Sequence, residues 1–515
     1  MTRVVLRCDA ALTMGSGHVM RCVTLAATLR DRGADIDFVC RALPAHLHKR
    51  IAADGAMNLH VLRGDAAAGA TDGEPPLRHR DWLCVSQAAD AAETLSVIAA
   101  GPRSDWLVVD SYALDARWER AVRPAVDRLM AIDDLADRDH DCDILLDQNF
   151  FLEPGRRYTR KVPAAAELLL GPRFALLRPE FARMRDGPLA RDGTLRRLFV
   201  SFGSSDPMNL TARAVRALAA AGLDDVALDV VIGSDNPHRA EIEALCAGRP
   251  RRRLHVDSDD MAGLMAAADL AIGAGGATTW ERCCLRLPTL LIGVAENQYE
   301  IARDLAEHGA CVFLGREDEV TADAIAAALR RLAGSGELVR ALGARAGALA
   351  DGHGARRVAD RMVAQPLRLR AALPADCARM HEWRNAEVTR RFASDPAPIA
   401  FATHARWFER TLNDPRSALL VAECATGPVG VLRYDFEHGI ATVSVYLVPG
   451  TQGRGAGTSL LQAGTRWLRD HHPEIRRIRA RVKADNLASL GAFSKAGFSG
   501  EHDTLVLEIA NERTH

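Results

Sequence analysis

Residues 1–330 alternate short apolar runs with amphipathic helical stretches, and this alternation restricts the fold more than any other property of the chain. Val4–Leu6, Ile36–Val39, Trp106–Asp110, Leu129–Ile132 and Ile144–Leu146 read as strands, with a helix over 19–32 that stops at Gly33. After the Gly- and Arg-rich stretch 186–197 a second series begins. Its strands are Arg197–Ser201, Leu228–Ile232 and Leu270–Ile272, separated by helices at 209–222, 238–247 and 260–268. Such runs are too short for helices, and their alternation with helical periodicity predicts mainly parallel sheets covered on both faces. Two successive series predict two doubly wound, Rossmann-like domains. Domains of that kind bind ligands at the carboxyl ends of their strands, here in the cleft between the halves.

The texture changes near residue 367. Strands are expected from Leu367 and at Ala418–Glu423, Val429–Tyr434, Ile440–Val448, Ile478–Val482 and 503–509, with helices at 375–386, 457–470 and 486–496. This predicts a separate α/β domain with a mixed, mainly antiparallel sheet. The expected division is 1–190 and 191–350 for the two Rossmann-like halves, 351–366 for a closing helix and linker, and 367–515 for the last domain. A chain of 515 residues is too long for a single core, in keeping with such a division.

Charge narrows the function classes. Lys plus Arg number 66 and Asp plus Glu 67, a net charge of −1, which argues against nucleic acid or an acidic membrane surface as partner. No window approaches the roughly 18 apolar residues of a membrane span, and the N-terminus lacks the apolar core of a signal peptide. Eleven cysteines are scattered without C-x-x-C spacing. They read as reduced thiols of a cytoplasmic protein, with no zinc cluster and no metal expected. The oligomeric state is left open.

The first strand–loop–helix carries the first candidate site, Arg7-Cys-Asp9-Ala-Ala-Leu-Thr13-Met-Gly15-Ser-Gly17-His18-Val-Met-Arg21-Cys22. Gly15 and Gly17 let the backbone turn sharply and approach a ligand. The helix that follows aims free N–H groups and its positive dipole end at the cleft, which suits a diphosphate or a developing anion. His18 stands at that helix start. A positive dipole end disfavours imidazolium, and a neutral ring can take a proton from water. The plainer alternative is a capping or solvent-facing histidine. Asp9, in the same loop, either orients the imidazole or caps a turn.

These residues resemble the opening of the UDP-sugar hydrolases of pseudaminic acid biosynthesis. Val109-Asp110-Ser-Tyr112, Ile132-Asp133-Asp134-Leu-Ala-Asp-Arg138, Cys142-Asp143-Ile-Leu-Leu-Asp147-Gln148-Asn149 and Leu170-Gly171-Pro172-Arg173-Phe-Ala-Leu-Leu-Arg178 continue the resemblance in order. Ser201-Phe-Gly203-Ser204-Ser-Asp206-Pro-Met-Asn209 and Gly273-Ala-Gly275-Gly276-Ala-Thr278-Thr279-Trp280-Glu281 extend it over essentially residues 1–360. The resemblance implies a two-domain fold like that of the GT-B glycosyltransferases, similar to the GlcNAc transferase of peptidoglycan synthesis. It implies metal-free hydrolysis of UDP-2,4-diacetamido-2,4,6-trideoxy-beta-L-altropyranose to UDP and the free sugar, with His18 at the position of the family's proposed base.

In the second half, Gly203 and Ser204 follow a strand and precede a helix, which places their N–H groups for a phosphate. Gly276 and Thr278 belong to a second such turn, and Glu281 is expected to face the cleft and accept from ribose hydroxyls. Asn297 and Gln298 follow another strand end, and Arg173 suits the diphosphate charge. Two positions depart from the family pattern: Gly-Gly is expected where Gly203-Ser204 stands, and Gly where Arg286 stands.

A third site lies in the last domain. Val448-Pro-Gly-Thr-Gln452-Gly453-Arg454-Gly455-Ala456-Gly457-Thr458 follows a long strand and opens a helix, exposing consecutive N–H groups to a pyrophosphate. It is similar to the Q/R-x-x-G-x-G/A signature of the GNAT acetyltransferases. Asn486-Leu-Ala-Ser489 with Phe493-Ser-Lys495-Ala-Gly497-Phe498 resembles their late motif. Trp383-Arg384-Asn385 and His404-Ala-Arg406-Trp407-Phe408 look like the substrate side of the acetyltransferases of the same sugar pathway.

The GNAT resemblance covers roughly 367–510 and implies acetyl-CoA as cosubstrate. The cosubstrate would be held by Val445 and Leu447 on a splayed strand, by the loop Gln452–Thr458, and by Asn486. Phe493 stands where many relatives carry a Tyr that protonates the CoA thiolate. Glu382 and His404 are the candidate bases.

Together these readings describe a bifunctional enzyme that N-acetylates a UDP-linked amino-sugar and then removes UDP. The alternatives are a UDP-sugar glycosyltransferase joined to a non-catalytic CoA-binding module or to a protein N-terminal acetyltransferase.

Overall fold

The structure is a computed structural model that describes residues 2–11, 14–52, 57–62, 77–187, 191–203, 206–363, 367–393, 395–424, 427–452, 456–500 and 504–509. The chain divides into two compact units, Met1–Ala359 and Asp360–His515.

The first unit holds two sheets. Strands β1 (Arg3–Cys8), β2 (Asp35–Cys40), β3 (Met57–Val61), β4 (Ser104–Asp110), β5 (Val126–Ile132), β6 (Ile144–Asp147) and β7 (Glu167–Leu170) lie in the order β3-β2-β1-β4-β5-β6-β7. Strands β8 (Arg197–Ser201), β9 (Ala227–Ile232), β10 (Arg252–Val256), β11 (Leu270–Ala274), β12 (Thr289–Gly293) and β13 (Val312–Arg316) lie in the order β10-β9-β8-β11-β12-β13. Every pairing in both sheets is parallel. In each sheet the chain builds outward on one side of its first strand and then returns to the other side. The crevices therefore open between the ends of β1 and β4 and between those of β8 and β11, where such folds bind ligands.

Packing on both faces explains the unbroken apolar strands. On β8, Leu198 and Val200 enter one core and Phe199 enters the opposite one, as a two-residue period requires. The core on the Phe199 face also contains Phe151, Leu177 and Phe181 from the end of the first half, packed with Trp280. The strands without a long apolar run, β3, β7, β10 and β13, are the sheet edges, where one flank is half-exposed.

Arg286 follows the helix Thr278–Cys284 at φ +55, the left-handed region, so the expected glycine has a conformational reason. Its stem lies over Gly347, where any added Cβ would come within 2.6 Å of it, and it does not reach the cleft. Replacing Arg286 by Gly is expected to stabilise the first unit by about 0.5–1 kcal/mol, because relief of left-handed strain exceeds the lost contact with Gly347. Urea unfolding checks this, and a loss of stability would show that the packing dominates.

The second unit has one sheet, with β14 (Arg368–Ala371), β15 (Ser417–Cys424), β16 (Gly427–Glu437), β17 (Ile440–Leu447), β18 (Arg477–Arg481) and β19 (Thr504–Glu508) in sequential order. All pairs are antiparallel except β17 with β18. A parallel neighbour needs a crossover, which the helix Ala456–His471 supplies.

Candidate active sites

His18 is the second residue of the helix Gly17–Arg30, which follows β1 and the turn at Gly15 (φ +75). Ser16 precedes the helix and makes no side-chain cap, so the first N–H groups are free of a side-chain partner there. The Asp110 carboxylate, at the end of neighbouring β4, accepts from His18 Nδ1 at 2.6 Å. A carboxylate only accepts, so Nδ1 carries hydrogen and Nε2 of the neutral ring is left with its lone pair. Arg21, one helical turn on, grips the same carboxylate with two bonds of 2.6 Å. Burial opposes ionisation of Asp110, but the Arg21 charge and the hydrogen bonds from Arg21 and His18 prevail and hold its carboxyl well below the usual range. The ring of Tyr112 meets His18 edge-on at 4.7 Å, and Trp82 and His79 pack beside Tyr112. Tyr112 hydrogen-bonds Asp134, whose other oxygen accepts from Asn149 Nδ2 at 3.1 Å. Asn149 in turn accepts from the Trp280 indole at 3.1 Å, which ties the two halves together.

These groups face a cavity of about 360 Å³ between the halves. The first half contributes Gly17, His18, Arg21, Trp82, Tyr112, Asp134, Gln148 and Asn149. The second half contributes Gly275–Ala277 and Ala295–Gln298, at the starts of two helices. Gly273 has a close neighbour, since an added Cβ would lie 2.6 Å from the Ser201 carbonyl. Gln298 Oε1 accepts from the N–H groups of Gly275 and Val294, which fixes the glycine turn against β12. Beneath that turn Arg282, 1% exposed, donates to the Ala274 carbonyl and to Thr279. Burial pulls its pKa down to about 10, which leaves it charged at neutral pH under a turn suited to an anion.

Of the expected site residues, Gly17, His18, Gly276, Asn297 and Gln298 meet at this cavity; Asp9, Arg173, Gly203, Thr278 and Glu281 are not on its wall. The expectation that Asp9 orients His18 is corrected. Asp9 accepts from the N–H groups of Arg41 and Ala42 and pairs with Arg7, so Asp110 orients the imidazole instead. Arg173 lies against Phe174, and its carbonyl accepts from Arg357. Gly203 is an exposed turn residue at φ +92, and the Thr278 hydroxyl accepts from Arg282.

Glu281 lies 3.8 Å from Arg178. Burial pushes its carboxyl up to about 7, with Arg178 opposing. Ser204, Gly453, Arg454 and Gly455 lie outside the described residues. Asp110, Arg21, Tyr112 and Asp134 were not given roles from sequence. The signal available was the place of Asp110, Tyr112 and Asp134 at or just after the ends of β4 and β5, and of Arg21 one turn beyond His18 on the same helix.

Behind the site His140, 4% exposed, bonds Glu119 at 2.7 Å and lies 3.7 Å from Asp133. Burial opposes its charge, but the two carboxylates prevail and raise its pKa from 6.5 to about 9. A raised pKa stabilises the fold below 6.5, and that contribution fades as pH rises through about 9. Over that window the first unit is expected to lose on the order of 3 kcal/mol, and His140→Gln to flatten the dependence. Urea unfolding at the two ends of the window tests this. Identical slopes for both proteins would remove His140 from the account.

In the second unit, β17 pairs with β18 only from Ile440 to Val443, while its other edge stays bonded to β16 as far as Leu447. Ser444–Leu447, which includes Val445 and Leu447, therefore presents backbone groups to the opening between the strands. Such groups fit the amide-rich arm of CoA. Gln452 accepts from the Gly450 N–H at 2.8 Å, which shapes the turn before the helix Ala456–His471. Thr458 bonds the Ala492 carbonyl, an added Cβ on Gly457 would lie 3.3 Å from Ala492, and Asn486 caps the helix Leu487–Lys495. Phe493 is a core residue, edge-on to Phe498 at 4.9 Å. Glu382 is exposed. His404 is 3% exposed, and its Nε2 has no hydrogen-bond partner among the described residues.

Among the described residues no group of three or more His, Cys, Asp or Glu side chains is placed to hold a metal, and no helix is long and apolar enough to cross a membrane.

Residues 198–348 match the glycosyltransferase family 28 C-terminal domain, and residues 366–499 match the acetyltransferase (GNAT) domain. The chain is similar to the spore coat polysaccharide biosynthesis protein SpsG of Bacillus subtilis. The identity is 33% over 193 residues, which are 36% of this chain and 56% of that protein, so the match spans little more than half of the relative. Among solved structures, MurG of Acinetobacter baumannii aligns with a TM-score of 0.48 and 15% identity, covering 70% of this chain and 99% of that one. AAC(6')-Ib in complex with paromomycin and acetyl-CoA aligns with a TM-score of 0.26 and 20% identity, covering 28% of this chain and 93% of that one. The chain thus joins a nucleotide-sugar glycosyltransferase-like unit to a GNAT acetyltransferase domain. These two domain matches mark it as an enzyme.

Proposed function

We propose that the chain is a bifunctional nucleotide-sugar enzyme of pseudaminic acid biosynthesis. Its second unit acetylates the 4-amine of a UDP-linked 4-amino-sugar, and its first unit hydrolyses the resulting UDP-2,4-diacetamido-2,4,6-trideoxy-beta-L-altropyranose. The observation that carries the hydrolase reading is the Asp110–His18 pair at a helix N-terminus, with His18 on the cavity wall. In this reading His18 Nε2 takes a proton from water, the water oxygen bonds the anomeric carbon, and the bond to the diphosphate oxygen breaks. The leaving UDP is met by the turn Gly275–Ala277 above Arg282. In the second unit, the amine nitrogen bonds the acetyl carbonyl carbon, the carbon–sulfur bond breaks, and the proton shed by nitrogen leaves on CoA as its thiol. The splay of β17 from β18 supports acetyl-CoA binding there.

One assay tests both halves: the protein is mixed with the UDP-amino-sugar, with and without acetyl-CoA, and UDP and CoA release are followed separately. CoA release before UDP release, with no added sugar acceptor, is the expected result. The second reading is transfer of the sugar to an acceptor hydroxyl, favoured by the glycosyltransferase family 28 match of residues 198–348. UDP release that requires an added acceptor would establish it in place of hydrolysis.

A further inference from the structure

Gln148 follows β6 and is 4% exposed, yet it lines the same cavity as His18. Its Oε1 accepts from the Leu176 backbone N–H at 3.1 Å. That bond fixes the side-chain amide, because the flipped form would set two donors against each other. Nε2 is therefore held as a donor, and among the described residues it donates to no acceptor. This donor opens to the cavity, so a ligand that displaces water from it must offer an acceptor in return.

The surroundings select which acceptor. A carbonyl oxygen only accepts and so needs a donor such as Nε2, whereas a sugar hydroxyl is matched by acceptor groups as well as donors. A phosphate oxygen finds less here, because the Arg21 guanidinium on this side of the cavity is already committed to the Asp110 and Asp134 carboxylates. The anion-seeking turn and Arg282 belong to the opposite half. A neutral carbonyl oxygen fits best, and Trp82 stacked on Tyr112 supplies an apolar wall for the methyl of such a group. The acetyltransferase domain on the same chain makes groups of this chemistry.

We propose that Gln148 is a specificity-determining residue of the first unit, whose Nε2 donates to the carbonyl oxygen of an acetamido group on the sugar. The proposal rests on the hydrolase reading for its reaction, but it is also testable by binding alone. A contact to the 4-acetamido group gives the two activities an order, since the hydrolase cleft then favours sugar that has been acetylated at the 4-amine.

The test uses the full chain and two substrates, the UDP-linked 2-acetamido-4-amino sugar and its 2,4-diacetamido product. Gln148→Glu keeps the acceptor for Leu176 and replaces the donor by an oxygen. Gln148→Met removes the donor without adding charge and serves if the first variant is unstable. For the diacetamido substrate kcat/KM is expected to fall about tenfold or more in either variant, with the Kd for UDP alone unchanged. An equal fall for both substrates assigns the contact to the 2-acetamido group, and a fall for the diacetamido substrate alone assigns it to the 4-acetamido group. Unchanged kcat/KM for both, or an equal loss of affinity for UDP, overturns the proposal. If the wild type releases no UDP from either substrate, the hydrolase reading fails separately. Titration of the intact nucleotide-sugars then decides on Gln148, and equal Kd values in variant and wild type overturn it.

Discussion

Replacing Asp110 by asparagine is expected to lower kcat for UDP release by about three orders of magnitude while UDP still binds. The carboxylate now accepts from three N–H groups, one on His18 and two on Arg21, all at 2.6 Å. An amide has one acceptor and one donor end. Arg21 is donor-only and claims the carbonyl, so the amide N–H2 turns to His18 Nδ1. The ring then keeps its hydrogen on Nε2, where the proposed hydrolysis needs the lone pair to take a proton from water. His18→Ala is expected to be at least as damaging, and both variants should keep the wild-type Kd for UDP. Single-turnover UDP release gives kcat, and calorimetry gives Kd. Near-wild-type kcat in Asp110→Asn would remove the pair from the chemistry.

Arg7→Met should destabilise the first unit by about 3–5 kcal/mol, because it strands buried carboxylates. Arg7 is fully buried and reaches Asp9 at 2.6 Å and Asp90 at 2.7 and 3.1 Å. Asp90 also accepts from Arg41 and from the Trp118 indole, both at 3.0 Å. Burial works against the Asp90 charge, but Arg7 and then Arg41 hold its carboxyl below the usual range. A depressed carboxyl stabilises the fold above its unfolded pKa near 4, and the contribution is lost as pH falls below that value. The wild type should therefore lose stability on acidification, and the variant should lose less. Adding Asp90→Asn to Arg7→Met should recover part of the loss, because one orphaned charge disappears. Urea unfolding at neutral and acidic pH measures each term. A cost under about 1 kcal/mol would mean that Arg41 alone satisfies both carboxylates.

The comparison between sequence and structure turns on burial. Central strands such as Arg197–Ser201 and Leu228–Ile232 were legible because both of their faces are covered, which demands an unbroken apolar run. Edge strands such as Met57–Val61 and Arg252–Val256 were not, because one flank meets solvent and tolerates polar residues. His18 was legible because a helix start after a glycine turn is a local event. Its partner was not, since Asp110 stands 92 residues away and meets it only because β4 lies beside β1. Asp9 is nearer in sequence, yet its carboxylate is committed to Arg7 and to the backbone of Arg41 and Ala42.

By itself the sequence determined the alternation that builds two parallel sheets, the mixed sheet of the second unit, and the glycine turns that open helices toward ligands. These follow from periodicity and backbone freedom within a few residues. Only the tertiary structure decided which carboxylate orients His18 and which way the Gln148 amide faces. Each of those depends on groups that strand order brings together, and hydrogen bonds between them cannot be read from spacing along the chain.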